Sequence, residues 1–532
     1  MIHCQKLSVL LVVCLVGRAF SADTPTVSLR GEIRDAESGQ LLPARLYIQS
    51  ADGTKWFFAK SADAKGSALV YDKARDQKSV EKHTTLSAHP FVAELPPGKY
   101  TLTVERGKEY LTATKEVEVG TVRRGGLDVK IELRRWINMA ERGWYSGDTH
   151  VHRDISELSN VALAEDLNMV YPMSQWVTVT HTLPEKGRVD PQPIPTTPIF
   201  ADPTHAIVPF NTEYEIFSVG PKRHTLGAVL ILGQKEPLKI GIPPLKAVAD
   251  EAHRQGGLLD LEKHSWAWTP IIAPVMKADL YPLSNNHIWR TEFAFKSWTI
   301  ENNWRDNPRI ETDKDGFTEL GWLHFGWEQY YAMLNCGLRI RPTAGTANGV
   351  HPVPAGFSRV YVDLGNEKFT PELWQKRLNE GRSFVTTGPL IEWHVERGQR
   401  SITIDYQIHT TSRRIRIESI VSGEIRDSKE WNEVPNGPPI EGSFQLVGMQ
   451  SGWVAIRCFE TGADGRTRFA HTAPVFLDIP GNSLEPRRDQ ARYLIQRCEE
   501  EIARNKDVLS DAELAEYREA LEFYRSKLAT AR

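Results

Sequence analysis

Two histidines one residue apart follow an aspartate in the segment Asp148-Thr149-His150-Val151-His152. Side chains two residues apart on an extended strand point to the same face, so Asp148, His150 and His152 would lie together. Imidazole nitrogen suits zinc, iron and manganese, and the aspartate could bind the same ion or hold one histidine in place. Because a metal site needs several converging ligands, this pair alone is a weak signal and requires partners from elsewhere in the chain.

Further residues able to bind a metal follow this segment, each beside a predicted strand or turn. They are Glu165, Asp166, Glu213, Glu215, His224, Glu262, His264, Asn285, Asn286 and His287. Solvent exposure is the competing interpretation for Glu165, Asp166 and His224, since charged side chains usually lie at the surface. The number of these residues favours a metal site that is assembled from several parts of one domain.

Two of these stretches have a more specific setting. Glu262-Lys263-His264 directly follows the apolar run from Leu258 to Leu261, where the C-terminal end of a buried strand would present polar groups. His287 stands near Trp268 and Trp289. Aromatic walls with a few convergent polar groups are typical of a ligand pocket, although core tryptophans would give the same pattern.

The elements that must position these residues change along the chain. Residues 245–253 fit a helix, Gly256-Gly257 stops it, and Leu258 to Leu261 fits a buried strand. A helix, a glycine turn and a strand form an αβ unit, and parallel strands joined by helices place ligands at their C-terminal ends. We therefore expect an α/β domain over residues 136–390.

Both flanks of this domain show the alternating pattern of short β-strands. Residues 23–135 include the alternating stretch from Tyr100 to Val104 and the turn Pro96-Pro97-Gly98, which are typical of a β-sandwich. This region is similar to the prealbumin-like β-sandwich modules found beside exported enzymes. Alternation returns in residues 391–480, for example from Gly452 to Arg457, and predicts a second β-sandwich.

The remaining residues, 481–532, are predicted to form a helical tail. Ser510 and Glu513 have the spacing of a capping box, in which each side chain bonds the backbone N–H of the other residue. Leu514, Tyr517 and Leu521 follow at helical spacing, which is typical of a packing surface.

The first residues indicate export. Lys6 precedes an apolar run from Leu7 to Val16, and Ala19-Phe20-Ser21-Ala22 has the small residues of a signal-peptide cleavage site. The run is shorter than the roughly 20 residues that a transmembrane helix needs, so we interpret residues 1–22 as a removable signal peptide. Cys14 leaves a lipoprotein as the alternative, although Val13 before it matches a lipidation site poorly. We expect a periplasmic or extracellular protein with no membrane attachment after signal removal.

Composition limits the partners. A formal charge of −3 provides no net basic face, which argues against nucleic acid or an anionic membrane as a partner. Cys336, Cys458 and Cys498 remain after signal removal, and their wide spacing fits neither a disulfide framework nor a CxxC metal site. A small-molecule substrate is the expected partner of the central domain, and carbohydrate or protein are the candidate ligands of the β-domains.

The Gly-Asp-x-His-x-His pattern of Gly147 to His152 resembles the opening motif of the PHP (polymerase and histidinol phosphatase) metallohydrolases. The closer resemblance is to the exported branch that includes carbaryl hydrolase. Further anchors of the resemblance are Tyr331 to Gly337, Pro342 to Thr346 and Asn379 to Pro389. It covers roughly residues 136–390.

The resemblance implies a distorted β/α barrel with metal ligands at the C-terminal ends of its strands. It implies that His150 and His152 bind metal, with Glu215, His224 and His264 as the best matches for later ligands. His287 is a further candidate from its aromatic setting. The chain departs from the family pattern at Met173-Ser174-Gln175, where Thr-Asp-His is expected, and at Ala347-Asn348, where an aspartate is expected. These departures leave open that the chain binds fewer metal ions than the family pattern implies.

The function implied is an exported, metal-dependent hydrolase. One or more zinc, manganese or iron ions would lower the pKa of bound water from about 16 toward 7 and supply hydroxide to an ester, amide, carbamate or phosphoester. Asp148, Glu165 and Glu262 are the candidates to orient ligands or carry the proton. The alternative is a non-catalytic exported binding or surface protein whose metallohydrolase domain has lost its activity.

Overall fold

The computed structural model describes residues 26–120, 126–190, 193–263, 266–284, 286–291, 307–434, 437–448, 450–462, 464–482 and 484–531. The predicted signal peptide, His264 and Asn285 lie outside the described residues. Within the described ranges, no helix is both long enough and apolar enough to cross a membrane.

The N-terminal part of the chain is a β-sandwich. Its strands are β1 Val27–Asp35, β2 Ala44–Ser50, β3 Trp56–Phe57, β4 Lys60–Ser61, β5 Ala68–Ala74, β6 Val80–Leu86, β7 Phe91–Leu95, β8 Gly98–Glu105, β9 Ala113–Val119 and β10 Leu127–Leu133. One sheet has the order β10-β1-β7-β4, and the other has the order β5-β6-β2-β8-β9 with β3 on β2. Alternate apolar side chains such as Leu29, Leu46 and Leu102 are fully buried in one cluster. The predicted β-sandwich is confirmed.

A six-stranded mixed sheet forms one half of the central region. Its strands are β13 Gln175–Val179, β16 Thr212–Val219, β17 Lys222–Leu232, β18 Leu258–Asp260, β19 Leu280–Ser284 and β22 Arg341–Ala344, in that spatial order. The pairs β16–β17 and β17–β18 are antiparallel, and the other pairs are parallel.

A longer sheet forms the other half and continues into the C-terminal region. Its strands are β11 Trp144–Val151, β12 Met169–Pro172, β14 Ile199–Asp202, β15 His205–Ile207, β23 Arg359–Asp363, β24 Ser383–Thr386, β27 Ile415–Val421, β28 Glu424–Trp431, β30 Gly452–Thr461, β31 Thr467–Thr472 and β32 Val475–Leu477. The order is β14-β15-β12-β11-β23-β24-β31-β30-β27-β28, with β32 on β30. Because β24 pairs directly with β31, this sheet crosses residue 390, and the predicted domain limit there stays a prediction.

The expected α/β class with a central β/α barrel is wrong. Strands make up 41% and helices 20% of the structure, and both central sheets run as open paths through the described strands. The physical reason is clearest at β16 and β17, which are joined only through Gly220 and Pro221 in a tight antiparallel hairpin. A β/α repeat needs a crossover of a dozen or more residues at that point. The helix and strand that suggested the repeat do form, but β18 pairs antiparallel with β17.

A three-stranded sheet completes the C-terminal region. It contains β25 Leu390–Arg397, β26 Ser401–His409 and β29 Ile440–Val447 in the order β25-β26-β29. Its apolar face, including Ile402 and Ile404, shares a buried cluster with Ile417 and Ile456 of the long sheet. Two faces packed in this way form a second sandwich. A short hairpin, β20 Thr312–Asp313 with β21 Gly316–Phe317, lies in the central region.

The helices lie around the central sheets. They are α1 Ile155–Glu165, α2 Leu245–Arg254, α3 Thr269–Val275, α4 Glu319–Asn335, α5 Pro371–Asn379, α6 Arg488–Asn505 and α7 Asp511–Leu528, with short 3₁₀ turns at Ala140–Arg142 and Pro184–Gly187. Ser510 and Glu513 form the predicted capping box at the start of α7. Cys336, Cys458 and Cys498 are buried free thiols.

The helical tail is part of the central core. Tyr517 and Tyr524 of α7 are fully buried, and Tyr524 donates a hydrogen bond to the Pro270 carbonyl at 3.1 Å. The carboxylate of Glu516 accepts from the backbone N–H groups of Leu245 at 2.7 Å and Lys246 at 2.9 Å. These are first-turn N–H groups of α2 that no residue of that helix can satisfy.

We predict that Glu516→Ala destabilises the fold by about 1 to 2 kcal/mol, the cost of a lost helix cap. Urea unfolding followed by circular dichroism measures this change. Glu519→Ala is the control, because Glu519 pairs with Lys246 only at the surface, and this variant should unfold like the wild type. Equal stability of both variants and the wild type would show that the tail does not cap α2.

Candidate metal centre

The ends of three strands bring the candidate ligands together. His150 lies on β11 and His152 follows it directly, Glu213 lies on β16, and Glu262 follows β18. His150 and His152 point to one face because they are two residues apart on an extended segment. Their Nε2 atoms are 3.0 Å apart, which confirms the shared face expected from the spacing.

Glu213 completes a possible three-ligand set with the two histidines. Its Oε2 lies 3.0 Å from His152 Nε2 and 3.5 Å from His150 Nε2. One ligand atom from each residue falls within 4.8 Å of the others. Nitrogen and carboxylate donors at this separation suit zinc, iron or manganese.

The backbone around β11 fixes the position of the histidines. His152 N donates to the Asn348 carbonyl at 2.6 Å, and Ala347 N donates to the His150 carbonyl at 2.7 Å. Gly345 permits this approach, since a Cβ there would lie 2.3 Å from the Cβ of His150. The segment from Ala344 to Thr346 therefore packs directly against the segment that carries His150.

Asp148 is fully buried and belongs to neither group of possible ligands among the described residues. Its carboxylate accepts from the backbone N–H groups of His150, Thr346 and Gly356 and from the Thr346 hydroxyl, at 2.6 to 3.1 Å. Burial raises its pKa, and these hydrogen bonds partly offset the increase. Asp148 thus holds the His150 segment against the loop that follows β22.

A second acidic group adjoins the first and shares Glu213 with it. Glu215 lies two residues further along β16, on the same face, and Glu262 is the third member. Lys263 contacts Glu215 through its Nζ, which also lies 3.2 Å from Glu262 Oε2. Trp176 Nε1 donates to Glu215 Oε2 at 3.1 Å. Glu215 is therefore held by a cation and an indole.

Electrostatics favour positive charge at this cluster. Burial lowers the pKa of His150, but the carboxylates of Glu213 and Glu262 outweigh it and raise the pKa to about 10. Burial raises the pKa of Glu213, but the two imidazoles outweigh it and hold that pKa well below its usual range. For His152, burial outweighs the attraction of Glu213 and lowers the pKa. A group of carboxylates that stabilises an imidazolium will also stabilise a metal ion.

The carboxylate oxygens at the centre of the cluster are poorly satisfied. Glu213 Oε2 and both oxygens of Glu262 are buried and make no hydrogen bond of normal geometry. Cationic or imidazole nitrogens of His152, Lys263 and His150 do lie 3.0 to 3.3 Å from them. The Glu262 backbone has a φ of 51°, in the left-handed region that a side-chain-bearing residue rarely adopts. Buried charged oxygens without hydrogen bonds are costly unless a cation meets them, so the residues present fit a divalent metal.

The structure places other candidate residues elsewhere. Glu165 ends α1 and its carboxylate pairs with Arg45 of the N-terminal sandwich. His224 hydrogen-bonds Asn505 of α6 at 2.8 Å through Nε2. The antiparallel register explains the position of His224, because Glu215 pairs with Ala228 and His224 lies four residues nearer the hairpin turn, about 13 Å along the strand.

Neither His287 nor the side chains of Gln175 and Asn348, at the substituted family positions, join the ligand groups. His287 is buried edge-on against Trp322, with ring centroids 5.2 Å apart, and does not join either ligand group. Gln175 accepts a hydrogen bond from Thr212 at 2.8 Å. Asn348 donates its side-chain amide to the Val353 carbonyl at 2.6 Å. Neither amide takes the part of the aspartate or histidine that the resemblance implies.

Three residues of the site are not singled out by the sequence. Glu213 is a candidate ligand by residue type, but the resemblance implies Glu215; the two share one strand face because they are two residues apart. The contacts of Lys263 with Glu215, and of Trp176 with the same carboxylate, join distant parts of the chain and do not follow from residue spacing.

The N-terminal sandwich reaches the edge of this centre. Tyr71 of β5 donates its hydroxyl to the His351 carbonyl at 2.5 Å and accepts from Gly349 N at 2.8 Å. The His351 ring lies 3.1 Å from Asn286 Nδ2. Burial, with a smaller contribution from the charge of Lys263, lowers the pKa of His351 to about 3. The loop after Asn348 is therefore braced by a different part of the chain.

Comparison with known proteins adds little to this geometry. No family model and no curated protein matches the chain. The C-terminal domain of the shaft pilin SpaA from Lactobacillus rhamnosus GG is similar over 21% of this chain and 98% of that domain, at 16% identity and a TM-score of 0.14. The longer shaft pilin SpaA matches at 13% identity and a TM-score of 0.14, over 21% of this chain and 47% of the pilin. The chain thus spans about half of that pilin, and a likeness this slight carries no argument about fold or function.

Loss of a residue that only hydrogen-bonds a metal ligand costs roughly 10- to 100-fold in metal affinity. Because His152 is a proposed ligand itself, we predict that His152→Ala weakens zinc binding by more than this. His224→Ala should bind zinc as the wild type does, since His224 contacts the helical tail instead. Competition titration against a chromogenic chelator gives both affinities. Loss of binding in His224→Ala with retention in His152→Ala would reverse this assignment.

Proposed function

We propose that the chain is an exported, metal-dependent hydrolase of a small molecule with an ester, amide, carbamate or phosphoester bond. The observation that carries the proposal is the convergence of His150, His152 and Glu213, one ligand atom from each, beside buried carboxylate oxygens that make no hydrogen bond of normal geometry. Export rests on the signal-like pattern around Leu7 to Val16. The resemblance to the exported PHP metallohydrolases supports the same reaction class through its motifs.

The residues fit a catalytic ion better than an ordinary ion-pair cluster. When bound, a divalent ion supplies a Lewis acid and lowers the pKa of coordinated water, which is the chemistry of metal-assisted hydrolysis. His150, His152 and Glu213 would hold the ion. Asp148 would keep the His150 segment in register through its four hydrogen bonds, which makes it a positioning residue in this proposal.

Glu262 is the best candidate for accepting the proton of the attacking water. Its two oxygens make no hydrogen bond of normal geometry, and Oε1 lies 3.3 Å from His150 Nδ1, beside the proposed metal ligands. Glu165 cannot take this role in the observed arrangement because its carboxylate is paired with Arg45. Of the three carboxylates predicted for catalysis from the sequence, Glu262 alone belongs to one of the two ligand groups.

A second candidate is the non-catalytic binding or surface protein. The observation in its favour is the burial of the cluster, since His150, Glu213 and Glu262 are each no more than 3% exposed. Structural metal sites are closed in this way, whereas catalytic sites keep an open coordination position. In that case the β-domains would carry recognition of carbohydrate or protein.

Turnover separates the two candidates. Metal-loaded wild-type protein is assayed on a panel of phosphoesters, carboxyl esters, amides and carbamates, beside metal-loaded His152→Ala. Hydrolysis by the wild type that His152→Ala lacks supports the hydrolase. Full metal occupancy without turnover on any substrate class favours the binding protein.

We predict that Glu262→Gln lowers kcat about 10²- to 10⁴-fold, the usual contribution of a general base, while metal content is unchanged. Steady-state kinetics and elemental analysis of the same preparation measure both quantities. Glu372→Gln is the control, because Glu372 is exposed on the first turn of α5 and should leave kcat at the wild-type value. A Glu262→Gln enzyme with wild-type kcat would remove Glu262 from proton transfer.

A further inference from the structure

The two groups of possible metal ligands differ in the cationic side chains that contact their carboxylates. The first, His150, His152 and Glu213, contains no cationic side chain other than its own imidazoles. The second, Glu213, Glu215 and Glu262, has the ammonium of Lys263 against two of its three carboxylates. Neighbouring metal ions in two-metal sites lie roughly 3.5 to 4 Å apart. Because the groups share Glu213, a second ion would need the space beside Glu215 and Glu262.

We propose that the ammonium of Lys263 occupies the second cation position of this cluster, so that the chain holds one divalent ion and not two. The inference rests on the proposed metal centre and specifies its stoichiometry. Lys263 is then a residue that determines metal content, without itself binding the metal.

The position of Lys263 is fixed on several sides. The residue is 6% exposed, and its Nζ contacts Glu215 and lies 3.2 Å from Glu262 Oε2. The same Nζ lies 5.6 Å from the centre of the Trp266 ring, within the range of a cation–π contact. Trp176 holds the far oxygen of Glu215 at 3.1 Å. The ammonium therefore fills the space between the carboxylates of Glu215 and Glu262.

Charge balance gives the same number of ions. The carboxylates of Glu213, Glu215 and Glu262 with the ammonium of Lys263 leave two negative charges, which one divalent ion neutralises. A second divalent ion beside Lys263 would place three cationic groups within a few ångströms in a buried site. At such distances, repulsion in a low dielectric is large. Removing the ammonium leaves the second acidic group in need of a cation.

The test is metal stoichiometry in Lys263→Met, which keeps the length of the side chain but removes the charge. Each protein is incubated with excess Mn²⁺, freed of loose metal by gel filtration and measured by elemental analysis. We expect one equivalent in the wild type and two in Lys263→Met. Lys263→Arg, which keeps the charge, should bind one. Electron paramagnetic resonance should show a spin-coupled manganese pair in Lys263→Met alone.

The outcomes distinguish this inference from the proposed function. Two equivalents in the wild type, or one in a folded Lys263→Met, would overturn the role of Lys263 and leave the metal centre intact. No manganese or zinc bound by the wild type would overturn both. If Lys263→Met fails to fold, as judged by near-ultraviolet circular dichroism, Lys263→Gln and the wild-type stoichiometry decide the question.

Discussion

The burial of Glu213, Glu215 and Glu262 beside one another is the constraint on which the centre depends. Carboxylates removed from water repel one another and lose hydration, so each must meet a cation or a donor. Lys263 and the imidazoles of His150 and His152 supply part of this compensation, although three of the oxygens make no hydrogen bond of normal geometry. In the proposed function, a divalent ion held by His150, His152 and Glu213 would supply the remainder. The arrangement is costly for a purely structural ion-pair cluster and well suited to a metal.

The rest of the fold brings these groups together and holds them there. The β16–β17 hairpin presents two glutamates on one face, and the left-handed backbone at Glu262 turns its carboxylate toward the histidines. Gly345 lets the loop after β22 press against His150. Tyr71 of the N-terminal sandwich braces the same loop from outside, and Glu516 of the tail caps α2 before it leads into β18. Parts of the chain that looked like separate modules therefore support one site.

The sequence predicted those features that depend on local spacing. The common face of His150 and His152, the shared strand of Glu213 and Glu215, the helix that precedes β18 and the capping box at Ser510 all follow from the period of a strand or a helix. The α/β class was wrong because one helix–strand unit was extended to a whole domain, and the barrel was wrong because it was implied only by a resemblance of short motifs. The dipeptide Gly220-Pro221 was the local signal for a hairpin instead.

Other features depend on contacts between distant residues, which spacing cannot show. His224 resembles a ligand in sequence, yet antiparallel pairing carries it toward α6. Glu165 is a catalytic candidate from the sequence, but in the structure its carboxylate is paired with Arg45 of the N-terminal sandwich. The role proposed for Lys263 depends on its contact with Glu215, which lies on β16, distant in the sequence.

An anomalous difference map from crystals grown with zinc tests the central claim most directly. The account predicts one strong peak, about 2.0 to 2.2 Å from an imidazole nitrogen of His150, one of His152 and a carboxylate oxygen of Glu213. A map without a peak among these three residues, or with its principal peak at another part of the molecule, would contradict it.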